Sequence, residues 1–284
     1  VVVKEVISEV FPGIYFNYWT FDGTVPGPMY RVREGDTVIL SITNDQASLH
    51  HHNIDLHAVT GQGGGASLTN VMPGETKTIK WKAINQGLFI YHCAMPNVST
   101  HNSHGQYGLI LVEPKEGLPK VDKEFYIVQG ELYTLGQLGK KGLTVFDSNA
   151  LLDGRPNYVT FNGKIEEAPR MHANVGDKIR IYVGNGGVNL ISSFHVIGEV
   201  FDTVYPEGSL GEGGAILKNV QTTAVLPGGS AIVEFKVDVP GSFLLVDHAL
   251  ARMNKGAWAV LHVMGDKNPD IYSQVPNDYK INSN

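Results

Sequence analysis

Cys93 is the only cysteine of the chain, with a histidine directly before it, His92, and another eight residues later, His101. A thiolate with well-spaced imidazoles is a donor set for a soft or borderline transition metal, and copper suits it best. The stretch that carries them, Gly87 to Gln106, opens as a strand-forming run (Leu88, Phe89, Ile90, Tyr91) and breaks into a loop at Pro96. Neighbouring side chains of a strand point to opposite faces. His92 and Cys93 are therefore expected to serve two metals, one on each side of the strand. The covalent path between them is short, which suits an electron relay.

Seven of the 11 histidines fall between residues 50 and 104. Cys93, His52 and His101 form one set, the trigonal core of a blue-copper electron-transfer site. His57 and His92 seed a second. If residues 52–57 are extended, His52 and His57 face opposite sides, repeating the split between Cys93 and His92, and Asp55 shares the face of His57. A catalytic metal usually takes three protein ligands and keeps one position open. The third must come from the second half, which offers His172, His195, His248 and His262. An isolated histidine is more often structural or solvated than a ligand. That reading goes to His50 and His51, in a solvated loop, and to His172 and His262. His104, inside the ligand loop, has no assigned role. The glycine run at 61–65 lacks the lysine and spacing of a phosphate-binding loop. Backbone freedom beside a site is the role it suits.

The elements that must position these residues are short and β-rich. Gly 33 and Pro 14 punctuate many Val, Ile, Thr and Tyr runs, the pattern of an all-β chain. Strands are expected at Thr37–Thr43, Thr76–Ala83, Gly87–Cys93 and Tyr107–Glu113, with a linker at Pro114–Pro119. The second half repeats the first. Phe21-Asp22-Gly23 matches Phe161-Asn162-Gly163, Gly35-Asp36 matches Gly176-Asp177, and Pro73-Gly74 with Gly87 matches Pro227-Gly228 with Gly241. Four pairs in one order argue for duplicated β-sandwich domains. A longer connection in the second copy is expected around Pro206–Gly214. His248, in GSFLLVDHAL, stands in the counterpart of GLFIYHCA. His195 lies in SFHVIGE, among apolar neighbours. Short helices are expected at Ser148–Leu152 and Ala249–Asn254, and residues 267–284 read as a polar tail or an arm on a neighbouring subunit.

The 284 residues suit two domains, and 42% hydrophobic content is enough for ordinary cores. A net charge of −6 points to neither nucleic acid nor an anionic membrane surface. One cysteine excludes an internal disulfide framework, and no apolar run reaches the length of a membrane span. The N-terminus, VVVKEVISEV, lacks the regions of a signal peptide, so the chain reads as cytoplasmic or already processed.

Taken together, His52-Asn-Ile-Asp55-Leu-His57-Ala, Gly87-Leu-Phe-Ile-Tyr-His92-Cys93-Ala, Tyr107-Gly-Leu-Ile-Leu-Val-Glu-Pro, Ser193-Phe-His195-Val-Ile-Gly-Glu and Leu245-Val-Asp-His248 resemble the motifs of copper-containing nitrite reductases. The resemblance runs from about residue 10 to residue 270. It implies two tandem Greek-key cupredoxin domains, 1–118 and 119–266, followed by an arm or tail at 267–284. It implies a homotrimer, exported to the periplasm or cell envelope, that takes electrons from a small cytochrome c or cupredoxin and reduces nitrite to nitric oxide. By motif, His52, Cys93 and His101 are similar to the type-1 copper ligands, and His57, His92 and His248 to the type-2 ligands, with His248 acting in the adjacent subunit. Asp55 and His195 match the acid–base pair, and Ile197 the apolar residue of the substrate pocket.

One position departs from the family. Where the axial type-1 methionine is usual, this chain has Gln106. An amide oxygen is a harder donor than a thioether and favours Cu(II), so a lowered type-1 potential is expected. Met95 is a weaker substitute ligand. Two rival functions fit less of the chain. A laccase-like oxidase needs several His-x-His pairs, and His50-x-His52 is the only one here. A non-catalytic electron carrier explains Cys93, His52 and His101, but leaves His57, His92, His248, Asp55 and His195 without work.

Overall fold

The computed structural model describes residues 1–165 and 170–277. The expected all-β architecture forms, as nineteen strands among the described residues. The first half contributes β1 (Val2–Phe11), β2 (Ile14–Phe21), β3 (Tyr30–Arg33), β4 (Thr37–Asn44), β5 (Asp55–Leu56), β6 (Thr76–Lys82), β7 (Gly87–His92) and β8 (Tyr107–Glu113). The second contributes β9 (Lys123–Leu132), β10 (Gly142–Leu143), β11 (Tyr158–Phe161), β12 (Met171–Asn174), β13 (Lys178–Asn185), β14 (Ser192–Val196), β15 (Thr203–Tyr205), β16 (Thr222–Val225), β17 (Ser230–Lys236), β18 (Gly241–Asp247) and β19 (Trp258–Met264).

Strand formation follows residue type and alternation. In β6, Thr-Lys-Thr-Ile-Lys-Trp-Lys, Ile79 and Trp81 are buried while Thr78, Lys80 and Lys82 are exposed. This is the signature of a sheet with one wet face. β13 is buried almost throughout, because it packs on both faces.

The sheet orders are β10-β2-β1-β4-β6 and β3-β8-β7-β5 in the first half, where β10 is lent by the second, then β11-β9-β13-β17-β15 and β12-β19-β18-β14-β16 in the second. The repeat is visible in the pairings. β1 runs parallel to β4 as β9 does to β13, and β3 to β8 as β12 does to β19. β7 with β8 and β18 with β19 are the corresponding antiparallel pairs. Each half closes over its own apolar core. A third cluster sets Leu88, Ile90 and Leu109 of the first half against Val128, Tyr182 and Ile232 of the second, so the halves are joined through apolar contacts.

Several local expectations need correction. β7 ends at His92, and Cys93 lies just beyond it. The segment after Pro96 is not all loop: Val98–Ser103 forms α1, with His101, Asn102 and Ser103 turned inward. Its sequence, VSTHNS, has poor intrinsic helix propensity, so burial of that face holds it. Gly105 follows at φ 99°, a left-handed residue that lets the chain leave the helix. The glycine run lies in a short 3₁₀ segment, Gln62–Leu68, in which Gly63, Gly64 and Gly65 use positive φ. Ser148–Leu152 is helical as expected (α2) and is capped by the Asp147 carboxylate. The short helix expected at Ala249–Asn254 forms as a 3₁₀ helix, Leu250–Lys255. The longer second-copy connection lies at residues 206–221, between β15 and β16. Of the tail, residues 267–277 carry no strand or helix and are largely exposed; residues 278–284 lie outside the described residues.

Candidate metal centre

β7 delivers His92 and Cys93 to opposite sides. Cys93 is fully buried, whereas the His92 side chain keeps 15% of its surface. On the buried side, the donor atoms of His52, Cys93 and His101 lie within 4.8 Å of one another. Cys93 Sγ is 3.4 Å from His101 Nδ1. Gln106 Oε1 points into the same group, 3.0 Å from His52 Nδ1 and 3.1 Å from His101 Nδ1. Three segments meet here: the bridge of His52 to Val71, the end of β7, and α1 with its exit toward β8. The Cys93 N–H donates to the Gln106 carbonyl, and the Asn53 amide oxygen accepts from the Ala94 N–H, pinning the cysteine turn.

The electrostatics of this group suit a cation. Burial pushes the Cys93 thiol up to about 11 and pulls His101 down to about 4. Left alone, Cys93 and His101 are neutral, and a metal ion must displace the thiol proton to bind. Gln106 is fully buried and its Nε2 has no hydrogen-bond partner among the described residues. Such an orphan costs about 1–3 kcal/mol, a cost that has a reason if Oε1 faces a cation. Met95 packs at the edge of the first-half core instead.

Around the group stands a shell that spacing did not reveal. Trp19, on β2, packs against four histidines, with ring centroids 4.2 Å from His104, 4.3 Å from His50, 4.7 Å from His101 and 5.7 Å from His52. His104 is a packing residue. Its ring stacks between Trp19 and Phe16 and also touches Phe146, and its Nδ1–H donates to the Thr100 carbonyl at 2.7 Å. Burial pulls it down to about 4, so it stays neutral. His50 is exposed yet not merely solvated, because it pairs with Glu5 at 3.0 Å. Glu5 also reaches the far nitrogen of His52, Nε2, at 3.3 Å. Burial pushes its carboxyl up, but hydrogen bonds from His52 and His50 outweigh this and bring it down to about 2. No spacing rule links Glu5 or Trp19 to residues so far along the chain. The only available signal was an acid on a strand that also carries apolar residues.

On the other side of β7, Asp55, His57 and His92 offer a second group within 4.8 Å. β5 pairs with β7 so that Asp55 stands opposite His92, with Oδ2 3.7 Å from His92 Nε2. His92 donates its Nδ1–H to the Cys93 carbonyl at 3.0 Å. That leaves a lone pair on Nε2, 3.0 Å from His57 Nε2. Two imidazole nitrogens this close suit a shared cation. His57 is lowered by burial first and then by its neighbour His92. Gly64 lets the backbone close over Asp55: a Cβ there would meet Asp55 Oδ1 at 2.0 Å.

Among the described residues, neither His248 nor His195 belongs to that group. They form their own pair, with rings 5.4 Å apart, at the end of β18 and on β14. His195 donates Nδ1–H to the Gln221 carbonyl at 2.5 Å, which leaves Nε2 free. Ile197, two residues on, is 40% exposed on the same segment. His172 and His262 do have a partner, each other. They are register neighbours on β12 and β19, stacked at 5.4 Å.

A family model described as multicopper oxidase matches residues 10–117. The copper-containing nitrite reductase of Neisseria meningitidis serogroup A is 56% identical over 278 residues, which is 96% of this chain and 71% of that protein. Its counterpart in Neisseria gonorrhoeae is also 56% identical, over 96% of this chain and 70% of that protein. Among solved structures, a copper nitrite reductase from Nitrosomonas europaea superposes with a TM-score of 0.83 at 32% identity, covering 95% of this chain and 94% of that one.

Proposed function

The chain belongs to the copper-containing nitrite reductases, and on that premise we propose that it reduces nitrite to nitric oxide and water with one electron and two protons. His52, Cys93 and His101, together with Gln106, would hold a type-1 copper. His57 and His92, with His248 of the partner subunit, would hold a type-2 copper. Copper at these places would supply one-electron redox chemistry and, at the second, a Lewis acid that draws charge from a nitrite oxygen. The observation that carries the reading is the pair of donor groups on opposite sides of His92–Cys93.

The protein's own residues then divide the work. The His92–Cys93 peptide links the two groups covalently, and the His92 Nδ1–H bond to the Cys93 carbonyl adds a second contact between them. His195, its Nδ1–H tied to Gln221, presents Nε2 for proton transfer. Asp55 is held beside His92 by the close approach of Gly64 and would pass the other proton. Ile197 would border the substrate space. The separation of His195 and His248 from Asp55, His57 and His92 within one chain supports a homotrimer in which copies complete each other's sites.

The same reading places the division of domains at residues 118 and 119, with 267–284 as an arm. It includes export to the periplasm and a cytochrome c or cupredoxin as donor. No helix of the described residues is long and apolar enough to cross a membrane. Gln106, with Oε1 turned to both histidines, would act as a hard oxygen donor and lower the type-1 potential.

The test is anaerobic nitric oxide production by the copper-loaded protein with a strong artificial reductant, beside His248→Ala. The parent is expected to form nitric oxide and the variant none. No product from a fully loaded parent would leave an electron carrier as the better description.

A further inference from the structure

Glu5 is nearly buried, with 7% side-chain exposure, and all its contacts gather on one oxygen. Oε1 accepts from the backbone N–H groups of Leu49 and His50, both at 2.9 Å, and lies 3.0 Å from His50 Nδ1 and 3.3 Å from His52 Nε2. The His52 ring therefore has both nitrogens engaged. Nδ1 faces Cys93, His101 and Gln106, and Nε2 faces a carboxylate. β1 pairs with β2 so that Glu5 stands opposite Trp19, the residue that packs against both ligand histidines. Glu5 is thus held at the back of the donor group by the same strand pair that covers it.

We propose that Glu5 is a positioning residue of the thiolate–histidine centre: it holds His52 as the Nε2–H tautomer, with its Nδ1 lone pair directed at the metal, and sets the potential of that metal. The proposal rests on the type-1 reading above. A histidine ligand that donates its second N–H to a carboxylate becomes a more basic ligand with a fixed orientation. The carboxylate also brings negative charge behind a ring whose other side meets a cation, inside a low-dielectric core. Both effects favour the more highly charged oxidised ion, so Glu5 and Gln106 act in the same direction. The two backbone N–H contacts have a different role. They hold the 49–50 turn, and they would do so whether or not a metal were bound.

Glu5→Gln separates the two roles, because it keeps the shape and an accepting oxygen and removes the charge. Copper-loaded wild-type and variant protein are compared by redox titration of the thiolate-to-copper absorption and by electron paramagnetic resonance. The variant is expected to keep the band, to shift its copper hyperfine splitting, and to raise its midpoint potential. A tenfold loss of preference for Cu(II) would read as 59 mV. An unmoved potential in a blue variant would overturn the proposal and leave the type-1 assignment standing. A wild-type protein with no thiolate-to-copper band would overturn both.

His50→Ala removes the exposed ring that shares Oε1 and is expected to move the potential much less. An equal shift would mean that Glu5 acts only through the turn, and would overturn the proposal. If Glu5→Gln does not hold copper, the wild-type protein still decides. In its reduced, diamagnetic form the His52 Nε2–H is expected as a slowly exchanging, downfield proton. Its absence would overturn the proposal.

Discussion

Cys93 and Asp247 occupy the same place in two copies of one topology. Each lies six residues beyond the glycine that opens its strand, Gly87 or Gly241, and each is fully buried. In the first half that interior position meets His52, His101 and Gln106, whose donor atoms converge on a space suited to a cation. In the second half the position meets its own fixed cation. Asp247 accepts from Arg252 Nη1 at 2.5 Å, Gln129 Nε2 at 3.1 Å, and the Ser193 and Ala249 N–H groups, both at 3.1 Å. One site would leave its charge balance to a metal, and the other closes it with protein. The fold supplies a buried, strand-end position next to a turn, and the residue placed there decides between chemistry and cross-linking.

That contrast predicts a double dissociation, the largest effect expected here. Cys93→Ala removes the thiolate and is expected to abolish the type-1 colour and turnover with donors that reduce that copper. The metal-free protein should lose about 1 kcal/mol at most, as for a small buried truncation. Arg252→Ala leaves the Asp247 carboxylate buried without its cation and should cost about 3 kcal/mol, with the colour of the surviving folded protein intact. Denaturant unfolding of the metal-free proteins, set beside visible spectra of the loaded ones, checks both arms. Equal stability losses would mean that the two positions are not functional opposites.

Gln106→Met sharpens the comparison within the first cluster. The substitution exchanges a hard oxygen for a soft thioether and removes the unpartnered Nε2. A higher type-1 midpoint is expected, by about 60 mV for each tenfold change in the reduction equilibrium, together with a small gain in metal-free stability. Redox titration of the two proteins decides. A midpoint equal to or below that of the parent would mean that Gln106 does not act as an axial donor.

The parts of this molecule legible from sequence rest on short-range rules. Period-two alternation separates His92 from Cys93, and the structure puts them in different donor groups, although β7 itself stops at His92. The Pro-to-Gly spacing in both halves marks the repeat that appears as matching sheet orders. Where the rules run out, the information lies in register and packing. α1 has no local helix signal and exists because His101, Asn102 and Ser103 are buried. His172 and His262 become neighbours through the parallel pairing of β12 with β19, about ninety residues apart. Glu5, Trp19 and the stacking role of His104 depend on how β1 and β2 fold over the donor group, which no spacing encodes.

The smallest effect expected separates two glutamates, one in each half. Glu5 is surrounded by histidines and backbone N–H groups, which bring its carboxyl down to about 2. Glu199, just after β14, is pushed up to about 7 by burial first and then by the charges of Asp238 and Asp202. Lys236 does not relieve it, because its ammonium group is held by Asp238 at 2.7 Å. Below pH 4.5 Glu199 is protonated in both the folded and the unfolded chain and costs nothing. Between pH 4.5 and 7 the folded protein keeps a proton that the unfolded chain releases, so stability falls as pH rises; above pH 7 the penalty is constant. Solvent reaches this half-buried group, and screening reduces the penalty to about 1 kcal/mol. Glu199→Gln is therefore expected to add about that much stability at pH 8 and almost none at pH 4.5, in denaturant unfolding across that range. A variant whose stability follows the parent's pH profile would mean that Glu199 ionises freely, and that its two acidic neighbours are too well solvated to act on it.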